Sequence, residues 1–166
     1  MITKTISNKF YGEGLEINPS INEDIRKLDY NLIVKLFEKS GLILFRDFEI
    51  KSSEIVKLTD LYTENYANDA LRRKSRMEQK EVRNVDYGNE EMALHSEASF
   101  SPNWPEIIWF FCNEFNTDGR GATTLCDGIK LWDNLSYETK NFFLLNPIKY
   151  KLKIPVVEKK IGKKAK

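Results

Sequence analysis

The run Ile107-Ile108-Trp109-Phe110-Phe111-Cys112 constrains this chain more than any other feature. An unbroken apolar and aromatic stretch of this length suits a central strand covered on both faces. The clusters on either side, Pro102-Asn103-Trp104-Pro105 and Asn116-Thr117-Asp118-Gly119-Arg120-Gly121, are turns by composition. Residues 122–126 then read as another strand, which makes the pair a hairpin. A strand covered on both faces needs layers to cover it. With 166 residues, 41% apolar and 12% aromatic, the chain can supply them as one domain. Trp104, Trp109, Phe110, Phe111 and Phe115 are accordingly assigned to the core rather than to a substrate cage.

The flanking segments add helices. Ile21, Ile25, Leu28, Leu32 and Leu36 recur at spacings of three and four, with Ser20 and Asn22 as caps and Ser40-Gly41 as a stop. The apolar run Leu42-Ile43-Leu44-Phe45 follows directly and suits a buried strand. Ser52 and Ser53 introduce a second helix bearing Ile55, Leu58, Tyr62 and Tyr66. Between Asn68 and Val85 the periodicity lapses, and Arg72, Arg73, Lys74, Arg76, Lys80 and Arg83, mixed with Glu78 and Glu81 and few apolar residues, read as a loop or lid. Strand character returns near Met92 and runs to Phe100. Asp127 or Ser136 caps helical turns carrying Leu131, Leu135, Phe142, Phe143 and Leu145, ended by Asn146-Pro147. Ile148, Tyr150, Leu152 and Ile154 alternate with lysines in a final half-exposed strand.

Charge and cysteine content narrow the function. Twenty-six basic and twenty-five acidic residues nearly cancel, which argues against a nucleic-acid or membrane coat and for a small-molecule partner. No apolar stretch is long enough to span a bilayer or to act as a signal core, so the expected location is the cytoplasm. Two cysteines, Cys112 and Cys126, are too few for a disulfide scaffold and are expected to be reduced, buried packing residues.

Chemistry concentrates in Leu94-His95-Ser96-Glu97. In an extended segment residues i and i+2 project to one face, so His95 and Glu97 would present an imidazole nitrogen and a carboxylate oxygen together. Such a pair can chelate a divalent metal. With a second histidine from elsewhere it forms the facial triad of non-haem iron oxygenases, which leaves metal positions open for cosubstrate and oxygen. On its own, HxE is a short pattern that also arises by chance.

The succession from Leu94 through Pro102-Asn103-Trp104-Pro105, the apolar run, and Gly121-Ala122-Thr123-Thr124-Leu125-Cys126-Asp127-Gly128 resembles the TauD/TfdA family of iron(II)/2-oxoglutarate oxygenases. Within it, HxE in place of HxD resembles the clavaminate-synthase-like branch. The resemblance covers roughly residues 41–151. It implies Fe(II) and 2-oxoglutarate as cofactor and cosubstrate, His95 and Glu97 as iron ligands, and Thr123 against a 2-oxoglutarate carboxylate, with Thr124 taking that place if the register slips by one. Asn84, Asp86 or Tyr87 would line the substrate side, and Asp127 would be either a helix cap or a hydrogen-bond partner that orients a metal ligand. Retention of a carboxylate at Glu97 implies hydroxylation or desaturation rather than halogenation. The substrate class implied is a small molecule such as an amino acid or organic acid.

The family pattern also requires a second histidine and a 2-oxoglutarate-binding arginine downstream. His95 is the only histidine, and no arginine follows Arg120. Lysine is a poor replacement for a bidentate arginine clamp. The expected fold is therefore α+β, an incomplete double-stranded β-helix (jelly-roll-like) with N-terminal flanking helices. Residues 1–157 would form a single oxygenase-like domain, truncated relative to the family, and residues 158–166 a Lys-rich tail. Two functions remain open. One is an oxygenase whose site is completed by a second chain or oligomer, and the other is a non-catalytic remnant or half of a split enzyme serving as an interaction module.

Overall fold

A computed structural model of the chain describes residues 1–8, 12–67, 75–76, 79–83, 85, 92–101, 104–114, 118 and 122–151. It is a mixed α+β structure in two compact units, Met1–Leu135 and Ser136–Lys166.

The first unit is built on a three-stranded sheet, β1 (Ile2–Asn8), β2 (Gly12–Asn18) and β3 (Ile43–Phe45), in that spatial order. β1 pairs antiparallel with β2, Thr3 opposite Ile17 and Thr5 opposite Leu15. The β-branched residues Ile2, Thr3, Thr5 and Ile6 favour this pleated backbone. β3 pairs parallel with β2, Leu15 opposite Ile43 and Ile17 opposite Phe45, and the pairing is extended by the Leu15 N–H to the Leu42 carbonyl (2.9 Å) and the Arg46 N–H to the Ile17 carbonyl (3.0 Å). Parallel neighbours need a crossover, and helix α1 (Tyr30–Ser40) supplies it. Ile17, Ile25, Ile33, Ile55, Leu58 and Ala98 form the buried apolar set among the described residues.

The α1 boundaries follow its caps. The Asp29 carboxylate accepts the Leu32 N–H at 2.6 Å, and Gly41 closes the helix at φ 66, its N–H bonded to the Phe37 carbonyl at 2.7 Å. Gly41 is the stop expected from the sequence. The expected start at Ser20 or Asn22 lies too early. Asn22 has φ 57, which no right-handed helix accommodates, and residues Ile25–Lys27 make only a 3-10 turn capped by Asp24 before the chain restarts at Asp29.

Asp24 also receives two hydrogen bonds at 2.8–2.9 Å from the Arg26 guanidinium, whose other arm reaches Glu54 at 2.6 Å. The pair ties the turn before α1 to the turn before α2 (Ile55–Thr59). Hydrogen bonding from Arg26 holds the Asp24 carboxyl down to about 2, against an ordinary value of 3.8. A depressed carboxyl contributes stability in full above its unfolded value and loses it as pH falls through the folded one. Acid unfolding is therefore expected to have a component between about pH 4 and pH 2 that Asp24→Asn removes, read as convergence of parent and variant melting temperatures at the acid end. Curves that stay parallel across that window would contradict it.

α2 ends at Asp60, short of the two further turns expected from the sequence. Tyr66 instead folds back, its hydroxyl donating to Asp60 at 2.7 Å and lying 2.6 Å from the Thr59 hydroxyl. Tyr62 stacks on Tyr30 with ring centroids 5.4 Å apart and meets Trp109 at 5.6 Å. Burial pushes the Tyr62 phenol above its ordinary range, reinforced by Tyr30 and Asp29.

Several expected strands are not formed. Residues 107–112 and 122–126 belong to no ladder among the described residues. The hairpin assigned to them is corrected: strand-like composition becomes a strand only when a hydrogen-bonding neighbour lies alongside. Residues 92–100 are likewise irregular and end in a turn, because Ala98 takes a positive φ that extended backbone excludes. Trp104 (64% accessible), Phe110 and Phe111 are exposed rather than core, whereas Trp109 is half-buried against Tyr62. Cys112 is exposed too, its thiol donating to the Glu114 carbonyl at 3.4 Å, and Cys126 is half-buried. Part of the presumed loop forms a small antiparallel pair, β4 (Ser75–Arg76) with β5 (Gln79–Arg83).

α3 (Gly128–Asn134) follows Asp127, whose carboxylate accepts the Ile129 and Lys130 N–H groups at 3.0 Å each, so the capping alternative for Asp127 is realised. In the second unit, α4 (Tyr137–Leu145) is capped by Ser136, which accepts the Thr139 N–H at 3.2 Å, and it stops at Asn146 before Pro147. Residues 148–151 form no strand, and 152–166, including the Lys-rich tail, lie outside the described residues. Among the described residues no helix is long and apolar enough to cross a membrane.

Candidate metal centre

His95 lies in irregular chain that enters a pair of turns. The Ser99 N–H bonds to the Ser96 carbonyl at 3.3 Å and the Ser101 N–H to the Ala98 carbonyl at 2.8 Å. His95 Nε2 lies 3.8 Å from Glu97 Oε2, with the side chains 50% and 37% accessible. The two therefore face one another across solvent-reachable space, although the segment is not the strand whose alternation first suggested the pairing.

The other ring nitrogen decides the tautomer. His95 Nδ1 is 2.9 Å from the Ala93 carbonyl oxygen. A carbonyl only accepts, so Nδ1 carries the proton and Nε2 is directed toward Glu97. In the neutral imidazole, a nitrogen lone pair and a carboxylate oxygen then look at each other, an arrangement that a cation between them would relieve. Histidine metal ligands characteristically donate their remote N–H in this way, which orients the ring and raises its basicity. Neither His95's anchor at Ala93 nor the reversal at Ala98 carries a signal in residue type.

One imidazole nitrogen and one carboxylate oxygen suit iron(II) in kind. Neighbouring ligands on one octahedral ion, at about 2.1 Å each, stand about 3 Å apart, so the 3.8 Å pair needs a closure of less than 1 Å from two accessible side chains. The fit extends to two donors. Among the described residues no group of three His, Cys, Asp or Glu side chains could hold a metal.

Thr123 and Thr124 are exposed on the irregular segment leading to α3, and no hydrogen bond among the described residues joins them to His95 or Glu97. Asn84, Asp86 and Tyr87 lie outside the described residues. A separate cleft of about 220 Å³, lined by Thr5, Glu13, Lys39, Ser40, Asp127 and Lys130 among others, includes none of the expected iron or 2-oxoglutarate contacts.

Residues 3–156 match the family model described as taurine catabolism dioxygenase TauD, TfdA family. The chain belongs to the TauD/TfdA family. Membership over nearly the whole length implies dioxygenase-type activity dependent on Fe(II) and 2-oxoglutarate. It also implies a jelly-roll-like fold, of which the described residues do not form a complete double-stranded β-helix. No curated protein matches the chain, and no solved structure does.

Proposed function

We propose that this TauD/TfdA chain is an Fe(II)/2-oxoglutarate-dependent dioxygenase of the clavaminate-synthase-like branch that hydroxylates a small molecule, an amino acid or related organic acid. The observation that carries the reading is the facing of His95 Nε2 and Glu97 Oε2 at 3.8 Å, with Nδ1 anchored on Ala93. The acidic partner being a glutamate rather than an aspartate supports the branch. When bound, iron(II) with 2-oxoglutarate would let dioxygen oxidise an unactivated C–H bond, one oxygen atom going to the product hydroxyl and the other to succinate as the cosubstrate loses carbon dioxide.

The chain's own residues do the holding. His95 and Glu97 provide two protein donors, and Thr123, or Thr124, offers a hydroxyl to a carboxylate of 2-oxoglutarate. The third protein donor and the arginine clamp are not among these 166 residues; a further polypeptide segment, of this chain or of another, would supply them and would also lay strands against the exposed aromatic segment 104–111 to complete the jelly roll. Without that partner the alternative is a non-catalytic interaction module.

Anaerobic addition of iron(II) and 2-oxoglutarate is expected to give the weak visible charge-transfer band of a chelated cosubstrate, and admission of oxygen with a completing polypeptide to give succinate. Iron(II) binding by His95 and Glu97 without succinate in any combination would leave the interaction module.

A further inference from the structure

We propose that a second copy of this chain can complete the His95–Glu97 centre, the two copies meeting across a two-fold axis with one divalent cation held by both imidazoles and both carboxylates. The inference rests on reading His95 and Glu97 as metal ligands. His95 is the only histidine in the chain, and among the described residues no group of three His, Cys, Asp or Glu side chains could hold a metal. The pair is thus half of a site, since closed zinc(II) sites almost always have four protein donors. In a symmetric pair of copies each residue meets its own counterpart. Two donors become four with no further residue.

Access, geometry and charge favour the doubled site. The side chains are 50% and 37% accessible, so the side of the ion away from this chain is open to a partner. Ligands on a tetrahedral ion, at about 2.0–2.1 Å each, stand about 3.3 Å apart, and the 3.8 Å pair is close to that spacing. His95 donates as a neutral imidazole and Glu97 brings one negative charge, which leaves one positive charge of a divalent ion uncompensated. The second copy's carboxylate cancels it, and a neutral centre is the less costly one to cover with protein. Met92, Leu94 and Phe100, each within three residues of a ligand, are 65%, 55% and 49% accessible and offer apolar surface to the contact. Four protein donors leave an octahedral ion two open positions where a facial triad leaves three, so the shared centre and an oxygenase triad exclude one another on the same ion.

The test titrates the full chain with zinc(II), following its mass by sedimentation equilibrium and its metal content by equilibrium dialysis. The mass is expected to double with one ion bound per two chains, and to halve again when the ion is removed with a chelator. His95→Ala and Glu97→Ala, both at accessible positions, are expected to keep the parent's circular dichroism and to remain single chains at about tenfold the zinc(II) that dimerises the parent. One zinc(II) per chain with the mass unchanged overturns the shared centre and leaves the metal reading standing. Doubling that occurs without zinc(II), or that persists in His95→Ala, overturns the shared centre as well. A parent chain that binds no zinc(II) overturns the metal reading itself, and the shared centre with it.

Discussion

His95→Ala is expected to weaken manganese(II) or iron(II) binding by about a hundredfold or more, beyond the 10–100-fold usual for losing a residue that merely orients a ligand. The magnitude follows from the composition of the site. His95 is the only histidine in the chain, so no neighbouring imidazole can replace it, and Glu97 alone is a single exposed carboxylate of the kind that binds divalent ions feebly. Glu97→Gln keeps the shape and removes the charge, and its effect should be of the same order. Because the two donors act on one ion, the double variant should lose little more than either single one. Titration calorimetry on parent, single and double variants measures all of this, with far-UV circular dichroism showing that the fold persists. Retention of parental affinity by His95→Ala would place the metal elsewhere and remove the basis of the proposed activity.

Ile17→Ala is expected to destabilise the first unit by about 2–5 kcal/mol, the range for truncating a fully buried aliphatic side chain. Ile17 is the fully buried side chain among the described residues, and it sits on the central strand, opposite Thr3 on one side and Phe45 on the other. Removing its side chain opens a cavity at the junction of an antiparallel and a parallel ladder, where neither neighbour can collapse inward without breaking register. Since whole domains are stable by only about 5–15 kcal/mol, a loss of this size is a large fraction of what holds the sheet together. Urea denaturation gives the number. A change under about 1 kcal/mol would mean that the sheet is not the load-carrying core.

What could be read from residue order was local. Gly41 ends a helix, Leu42-Ile43-Leu44-Phe45 leads into β3, and Asp127, Ser136 and Asn146-Pro147 mark the ends of α3 and α4, because caps and stops act over a single turn. The β1–β2 hairpin went unread, its short period-two pattern being interrupted by the exposed Lys4 and Glu13 and by the buried Gly14. The opposite error affected residues 107–112 and 122–126, whose composition is rich in strand formers. Strand identity depends on a partner distant in sequence, and composition does not say whether one is there. The candidate site divides the same way. The HxE spacing revealed which two residues meet, but they meet in irregular chain that leads into a turn rather than by strand alternation, and nothing in the residue types marks that departure from a strand.

The parallel pairing of β2 with β3 has a consequence in time. Every hydrogen-bonded partner in that sheet lies between Ile2 and Arg46, so all of its strands leave the ribosome before His95 and Glu97 are translated. At ordinary elongation rates His95 is added on the order of several seconds after Phe45, longer than small ladders and single helices need to form. The nascent chain can thus present a finished sheet, with α1 already packed, before the His95–Glu97 segment is laid down.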